Sequence, residues 1–262
     1  MAEGEPVWGV TLLAGELYLV REKERDQVEV YDVISYCLLR RLTVQSICRA
    51  ADMTSCIHNH CVYISDYIGE CVHRLDAQGT FTRWAVIDEP WGLSVNVAHN
   101  VLVACPIVCR IKELNSHGDL LRELTLPDDV ITPWHAIQTR SGQFIVCHGG
   151  RGDPVHRVCV ISADGRHVVH SHGGQRGSAS GQYNGPIRLA ADNEFVFVAD
   201  INNGRVTLLS PTLDYIRHVV SRDHLKWQPH RLYLDTQRRL LYIADIDFQS
   251  DKSLGRVVVV RV

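Results

Sequence analysis

The sequence is short of the features that would set it apart from ordinary folded domains. It has no apolar run near the ~20 residues a membrane-spanning helix needs, so a helical membrane protein is not expected. It has no surplus of one charge: 27 Lys and Arg face 30 Asp and Glu, a formal net charge of −3. Bulk attraction to DNA or an anionic lipid surface is therefore not expected, because such surfaces are held by a surplus of cations. The first residues carry Glu3 and Glu5 where a secretory leader would place basic residues and an apolar core. A cytoplasmic chain without membrane contact is the expectation. There is no heptad segment, no cysteine-histidine RING spacing, and no stretch that holds a 3.6-residue apolar period for the length of a helix. No cofactor motif stands out either.

What is present is ordinary globular composition, 45% hydrophobic and 22% charged. At 262 residues one domain can bury a full core, so neither disulfides nor metals are required for folding. The cysteines number nine, an odd count, and Cys61, Cys105, Cys147 and Cys159 sit in runs of Val, Ile and Phe. That placement reads as reduced thiols packed in a core.

A repeat organises the chain. A proline followed by a short apolar run occurs at Pro6, Pro90, Pro133, Pro186 and Pro229, at spacings of 84, 43, 53 and 43 residues. The first spacing is two units long, and Ile47-Cys48-Arg49-Ala50 supplies the missing copy without its proline. Each copy continues with a second apolar run and, after a polar loop, a third. Asp76-Ala77-Gln78-Gly79, Asn115-Ser116-His117-Gly118 and Ser162-Ala163-Asp164-Gly165 then read as turns, with an Asx or Ser start and a Gly for positive φ. A more polar fourth run follows in four copies, at 81–86, 120–124, 167–170 and 215–220. Four short β runs per ~42 residues is the period of propeller blades. The predicted fold is all-β: one six-bladed β-propeller, with blades at approximately 6–45, 46–88, 89–131, 132–185, 186–228 and 229–262. The last blade runs out of chain before its fourth strand. The predicted ring therefore closes by inner-strand packing alone and leaves an unpaired outer edge at residues 257–260.

One copy carries a more specific pattern. Residues 173–192, with Gln182-Tyr183-Asn184-Gly185-Pro186, lead into Ala199-Asp200-Ile201-Asn202-Asn203-Gly204-Arg205-Val206. This segment resembles an NHL repeat, and Tyr242-Ile243-Ala244-Asp245 with Gly255-Arg256-Val257 preserves parts of it. The resemblance implies a propeller of the kind found in tripartite-motif proteins, here without the other modules, acting as a platform that recruits protein or RNA. Asp200, Asn203 and Arg205 fit a tight turn in which the Arg bonds back to the Asp, which is scaffold chemistry.

Propeller ligands commonly meet the loop-rich face at which each inner strand begins. The loops there carry Glu3, Glu5, Asp88, Glu89, Asp128 and Asp129 on one side and Arg176, Arg188, Arg222, Lys226 and Arg231 on the other. A split of this kind suits an oriented protein or peptide partner better than a phosphate backbone. The second residue after the proline, Gly92, His135, Arg188 or Arg231, opens onto the axial channel, which makes Arg188, Arg231 and His135 candidate contacts. Trp8, Trp91 and Trp134 lie at the same strand starts, either as an interface hot spot or as packing between blades. Tyr183 and the exposed Arg151 of Arg151-Gly152-Asp153 complete the candidate set.

No catalytic or metal-binding residue is assigned. Cys56-Ile57-His58-Asn59-His60-Cys61 has ligand-type residues, but adjacent strand residues point to opposite faces and the spacing matches no standard zinc pattern, so a hairpin turn is the better reading. Glu3-Gly4-Glu5-Pro6-Val7-Trp8 resembles, with one residue inserted, the Glu-Gly-Pro-x-Trp motif of six-bladed lactonases, which implies an axial divalent metal. Two arginines at the channel would repel such an ion. The function expected is a non-catalytic binding platform for a protein or peptide, with RNA binding or a metal-dependent lactonase as alternatives.

Overall fold

A computed structural model describes residues 4–22, 26–44, 46–85, 88–247 and 253–262. Twenty-three strands form six antiparallel sheets, and the one helical turn among the described residues is Ile201–Asn203. Blade one is β1 (Val7–Leu13), β2 (Glu16–Arg21), β3 (Gln27–Asp32) and β4 (Leu38–Thr43). Blade two is β5 (Ala50–Cys56), β6 (Cys61–Asp66), β7 (Cys71–Asp76) and β8 (Phe81–Ala85). Blade three is β9 (Gly92–Val95), β10 (Val101–Cys105), β11 (Arg110–Leu114) and β12 (Leu120–Thr125). Blade four is β13 (Pro133–Gln138), β14 (Phe144–His148), β15 (Val155–Ile161) and β16 (Val168–Gln175). Blade five is β17 (Pro186–Ala191), β18 (Val196–Asp200), β19 (Arg205–Leu209) and β20 (Tyr215–Val220). Blade six has three strands, β21 (Gln228–Asp235), β22 (Leu240–Asp247) and β23 (Leu254–Arg261). No helix among the described residues is long and apolar enough to cross a membrane.

Six apolar clusters hold the ring, each between two neighbouring blades. Val20, Val28 and Val30 of blade one meet Met53, Val62 and Ile64 of blade two, and the pattern repeats around to Tyr242 and Ala244 of blade six against Val10 and Leu19 of blade one. Each sheet is covered on both faces, which is why the second strands are continuous apolar runs. Cys61, Cys105, Cys147 and Cys159 are buried free thiols in this packing. The turn glycines Gly79, Gly118 and Gly165 all have positive φ, between 81° and 91°.

Two features depart from the sequence expectation. Blade one has a fourth strand, β4, that the apolar pattern did not show. Its Leu38 and Leu39 are exposed, while Arg40 and Arg41 bind Glu16 and Glu29 of the strands beside it, so charge pairing rather than apolar alternation fixes the strand. The ring is also not closed by inner-strand packing alone. Gly4 and Gly255 exchange two backbone hydrogen bonds, of 2.9 and 2.7 Å, across the seam between the first and last blades. A Cβ on Gly255 would lie 2.8 Å from the Pro6 Cα, so the chain passes there only as glycine. Beyond that bridge, no described residue pairs with the outer edge of β23. Glu3, Val86 and the blade boundary at residue 45 lie outside the described residues.

Candidate binding face and axial cluster

The first strand of most blades starts with a register shift. It falls between Val7 and Gly9, Ala50 and Asp52, Pro133 and His135, Pro186 and Arg188, and Pro229 and Arg231. The shift leaves one extra residue that bends the strand, as a β-bulge does. The residues after it, together with Gly92 of blade three, form one ring of equivalent positions: Gly9, Asp52, Gly92, His135, Arg188 and Arg231. The two glycines make room for the rest. A Cβ on Gly92 would lie 2.2 Å from the Trp134 carbonyl oxygen and 2.9 Å from the His135 Cα.

Asp52 is the anchor of this ring. Its carboxylate lies 3.3 Å from Arg188 Nε and 3.6 Å from Arg231 Nε, and it accepts a hydrogen bond from the Leu93 N–H at 2.9 Å. Both guanidinium groups also donate to the Ala51 carbonyl, on the far side of the ring from Arg188. Arg188 donates further to the carbonyls of Ile187 (2.7 Å) and Trp134 (3.3 Å), and Arg231 to those of Trp8 (2.8 Å) and His230 (3.0 Å). Carbonyl dipoles thus replace the water that two buried cations with one carboxylate would otherwise need. His135 Nε2 donates to the Leu93 carbonyl at 2.9 Å. Burial pushes its pKa down to about 4, against the opposing pull of Asp52, so the imidazole stays neutral at physiological pH.

The expectation of an open channel mouth is corrected here. Arg188, Arg231 and His135 do face the axis, but they are 2%, 1% and 5% exposed and spend their hydrogen bonds on the protein itself. Trp8 is buried in the cluster between blades one and two, where it also meets blade six, edge-on to His230 at 5.0 Å and beneath the Arg231 guanidinium. Tyr183 is 1% exposed in the cluster between blades four and five. Asp52 was missed because its blade lacks the proline that marks the other copies.

The remaining candidates do meet solvent. Trp91 and Trp134 pack edge to face at 5.1 Å, and Tyr67, not identified from sequence, stacks on Trp91 at 4.5 Å. Arg49 lies over the Tyr67 ring at 5.7 Å. The row runs across the starts of blades two, three and four. It ends at a cavity of about 340 Å³ lined by Trp134, Arg151, His156, Arg176, Ile187 and Asn202. Arg151 and Arg176 are exposed there, and past the Ile201–Asn203 turn a second hollow of about 210 Å³ includes Arg222, Lys226 and Trp227. The basic side of the face is therefore made of Arg151, Arg176, Arg222 and Lys226, without the two axial arginines. The acidic side is partly neutralised: Asp88 pairs with Lys112 at 2.7 Å, and Asp129 pairs with Arg157.

The loops behind this face hang on aspartates at the ends of second strands. Asp200 accepts hydrogen bonds from Asn184 N–H, Asn203 Nδ2 and Arg205 Nε at 2.7–2.8 Å. Asp245 accepts from the N–H groups of Lys226 and Trp227 and from Arg256 Nε at 2.8–2.9 Å. The Asp200 turn has the scaffold chemistry read from its sequence.

No protein-family model and no curated protein matches the chain. Solved structures match its fold. Virginiamycin B lyase from Staphylococcus aureus aligns at TM-score 0.68 and 9% identity over 100% of this chain and 88% of that one. A protein of unknown function from Bacteroides caccae aligns at 0.67 and 14% identity, covering 91% and 85%. A chain of a nidogen/laminin complex aligns at 0.62 and 12% identity, covering 86% and 80%. At such identities the likeness is one of fold, shared by a lyase and by a propeller found in a protein complex.

Proposed function

We propose that the protein is a non-catalytic platform that grips an extended, acidic segment of a partner protein on the face where the inner strands begin. The observation that carries this reading is the continuous row Arg49, Tyr67, Trp91, Trp134, which ends at the Arg151 and Arg176 cavity. Half-buried aromatics flanked by arginines are the composition of interface hot spots. Cations at both ends of the row favour carboxylates between or beside them. The nidogen/laminin match adds that a propeller of this shape occurs within a protein complex. The axis speaks for scaffold rather than a reaction centre, because the His135 imidazole is buried, neutral and bonded to a backbone carbonyl.

The test is tryptophan fluorescence and polarisation with an acidic peptide, its neutral Asn/Gln counterpart and single-stranded RNA, at ~150 mM salt, where weak phosphate contacts fade. Preferential binding of the acidic peptide is expected. The paired reversal Arg151→Glu with Arg176→Glu should weaken it about tenfold or more, the effect of losing a hot-spot contact. Equal affinity for the neutral peptide, no loss in the reversal, or tighter binding of RNA would overturn the reading.

A further inference from the structure

At the place where blades five and six pair an aspartate with an arginine, blade two is built differently. The equivalent register pairs are Asp200 with Arg205, Asp245 with Arg256, and Asp66 with Cys71. Asp66 keeps the loop-hanging role, accepting the N–H groups of Cys48 (2.6 Å), Arg49 (2.8 Å) and Gly69 (2.9 Å). Its guanidinium partner, however, is replaced by a thiol and, two residues on, by an imidazole. His73 Nε2 lies 3.3 Å from Asp66 Oδ2 and 3.2 Å from Cys71 Sγ, and all three residues are fully buried.

Hydrogen bonding alone accounts poorly for this arrangement. The imidazole Nε2 either donates its one proton to the Asp66 carboxylate or accepts one from the Cys71 thiol, so it can serve only one of its two neighbours at a time. Charge-assisted N–H···O bonds are shorter, about 2.7–2.9 Å. The N···O separation equals the edge of a coordination tetrahedron, about 3.3 Å, and the N···S separation is about 0.3 Å short of its edge of about 3.5 Å, given metal bonds of about 2.0–2.1 Å to N or O and about 2.3 Å to S. Asp66 Oδ2, Cys71 Sγ and His73 Nε2 all fall within 4.8 Å of one another. A thiolate, an imidazole and a carboxylate together suit zinc rather than magnesium or calcium, which take oxygen ligands. The Cys48 N–H donates to Asp66, so a second, exposed cysteine is the backbone neighbour of the cluster; its thiol lies 4.0 Å from the Ser46 carbonyl and would reach the cluster by rotating its side chain.

We propose that Asp66, Cys71 and His73 form a structural zinc-class metal site, with Cys48 as the fourth ligand, that replaces the aspartate–arginine pair of the other blades. Cobalt(II) is the probe, titrated into chelator-treated full-length protein. One equivalent is expected, with a thiolate-to-cobalt charge-transfer band and tetrahedral d–d absorption. His73→Gln should abolish the band, and Cys48→Ser should weaken binding about tenfold or more, within the range seen when a zinc site loses supporting interactions. Cys71→Arg restores the pair used in blades five and six, and should fold while losing the band. Cys159→Ser, which removes a buried thiol in blade four, should leave it unchanged. Folded wild-type protein that takes up no cobalt would overturn the proposal. So would a band that persists in Cys71→Arg, which would place the ion elsewhere, for instance near Cys56 and His99, whose Sγ and Nδ1 are 4.0 Å apart.

Discussion

The axis and the upper rim are built from the same residue types and do opposite things with them. At the axis Arg188, Arg231 and Trp8 are buried, and the two guanidinium groups donate to backbone carbonyls of other blades. On the rim Arg151, Arg176 and Trp134 lie along an open cavity. Trp134 and His135 are neighbours in sequence, yet the first faces outward and the second inward, because the bulge at the start of β13 falls between Pro133 and His135. The bulge makes this division within β13, whereas Trp8, at the same place in β1, is covered by His230 and Arg231 of blade six.

The largest test of this division removes the carboxylate at the axis. Asp52→Ala leaves two buried guanidinium groups without a counter-charge, and breaking a buried pair in this way costs about 3–5 kcal/mol. Urea unfolding should show a loss of that order, and a loss below about 1 kcal/mol would mean that carbonyls alone carry the arginines. The next effect is on pH. Burial pushes His135 and His148 each down to about 4 from 6.5, so between those values the unfolded chain holds more protons than the folded one. Their contribution to stability is complete above pH 6.5 and is lost as pH falls toward 4, by up to about 1.4 kcal/mol per pH unit for each imidazole. The urea midpoint should therefore drop between pH 7 and pH 5, and His135→Gln should flatten the slope. The smallest effect belongs to the rim, where Arg151→Ala and Arg176→Ala should change stability by less than about 0.5 kcal/mol, as exposed substitutions do. A larger change would mean that the rim arginines are scaffold as well.

The propeller was legible because its signal is repeated. Any one of the runs around Val62, Val101, Phe144, Val196 and Leu241 is ambiguous, but six at a near-constant period are not. All four axial positions that lie two residues after a proline, Gly92, His135, Arg188 and Arg231, were read from that proline alone. Asp52 was not, since Ile47-Cys48-Arg49-Ala50 offers no such marker, and β4 was not, since its leucines face solvent. Sequence also could not report that the axial arginines are buried, because that depends on carbonyls brought from blades one, two and four by closure of the ring. Tyr67 joins the aromatic row only through a stack with Trp91 across a blade boundary, a contact that no local pattern encodes.

The glycine seam gives the ring a mechanical polarity. Five of the six junctions between blades are crossed by continuous chain, whereas the sixth relies on side-chain packing, the two short backbone bonds between Gly4 and Gly255, and side-chain bonds such as that from Arg231 to the Trp8 carbonyl. Under load or thermal fluctuation, blades one and six should part there first, peeling like a clasp while the other five junctions hold.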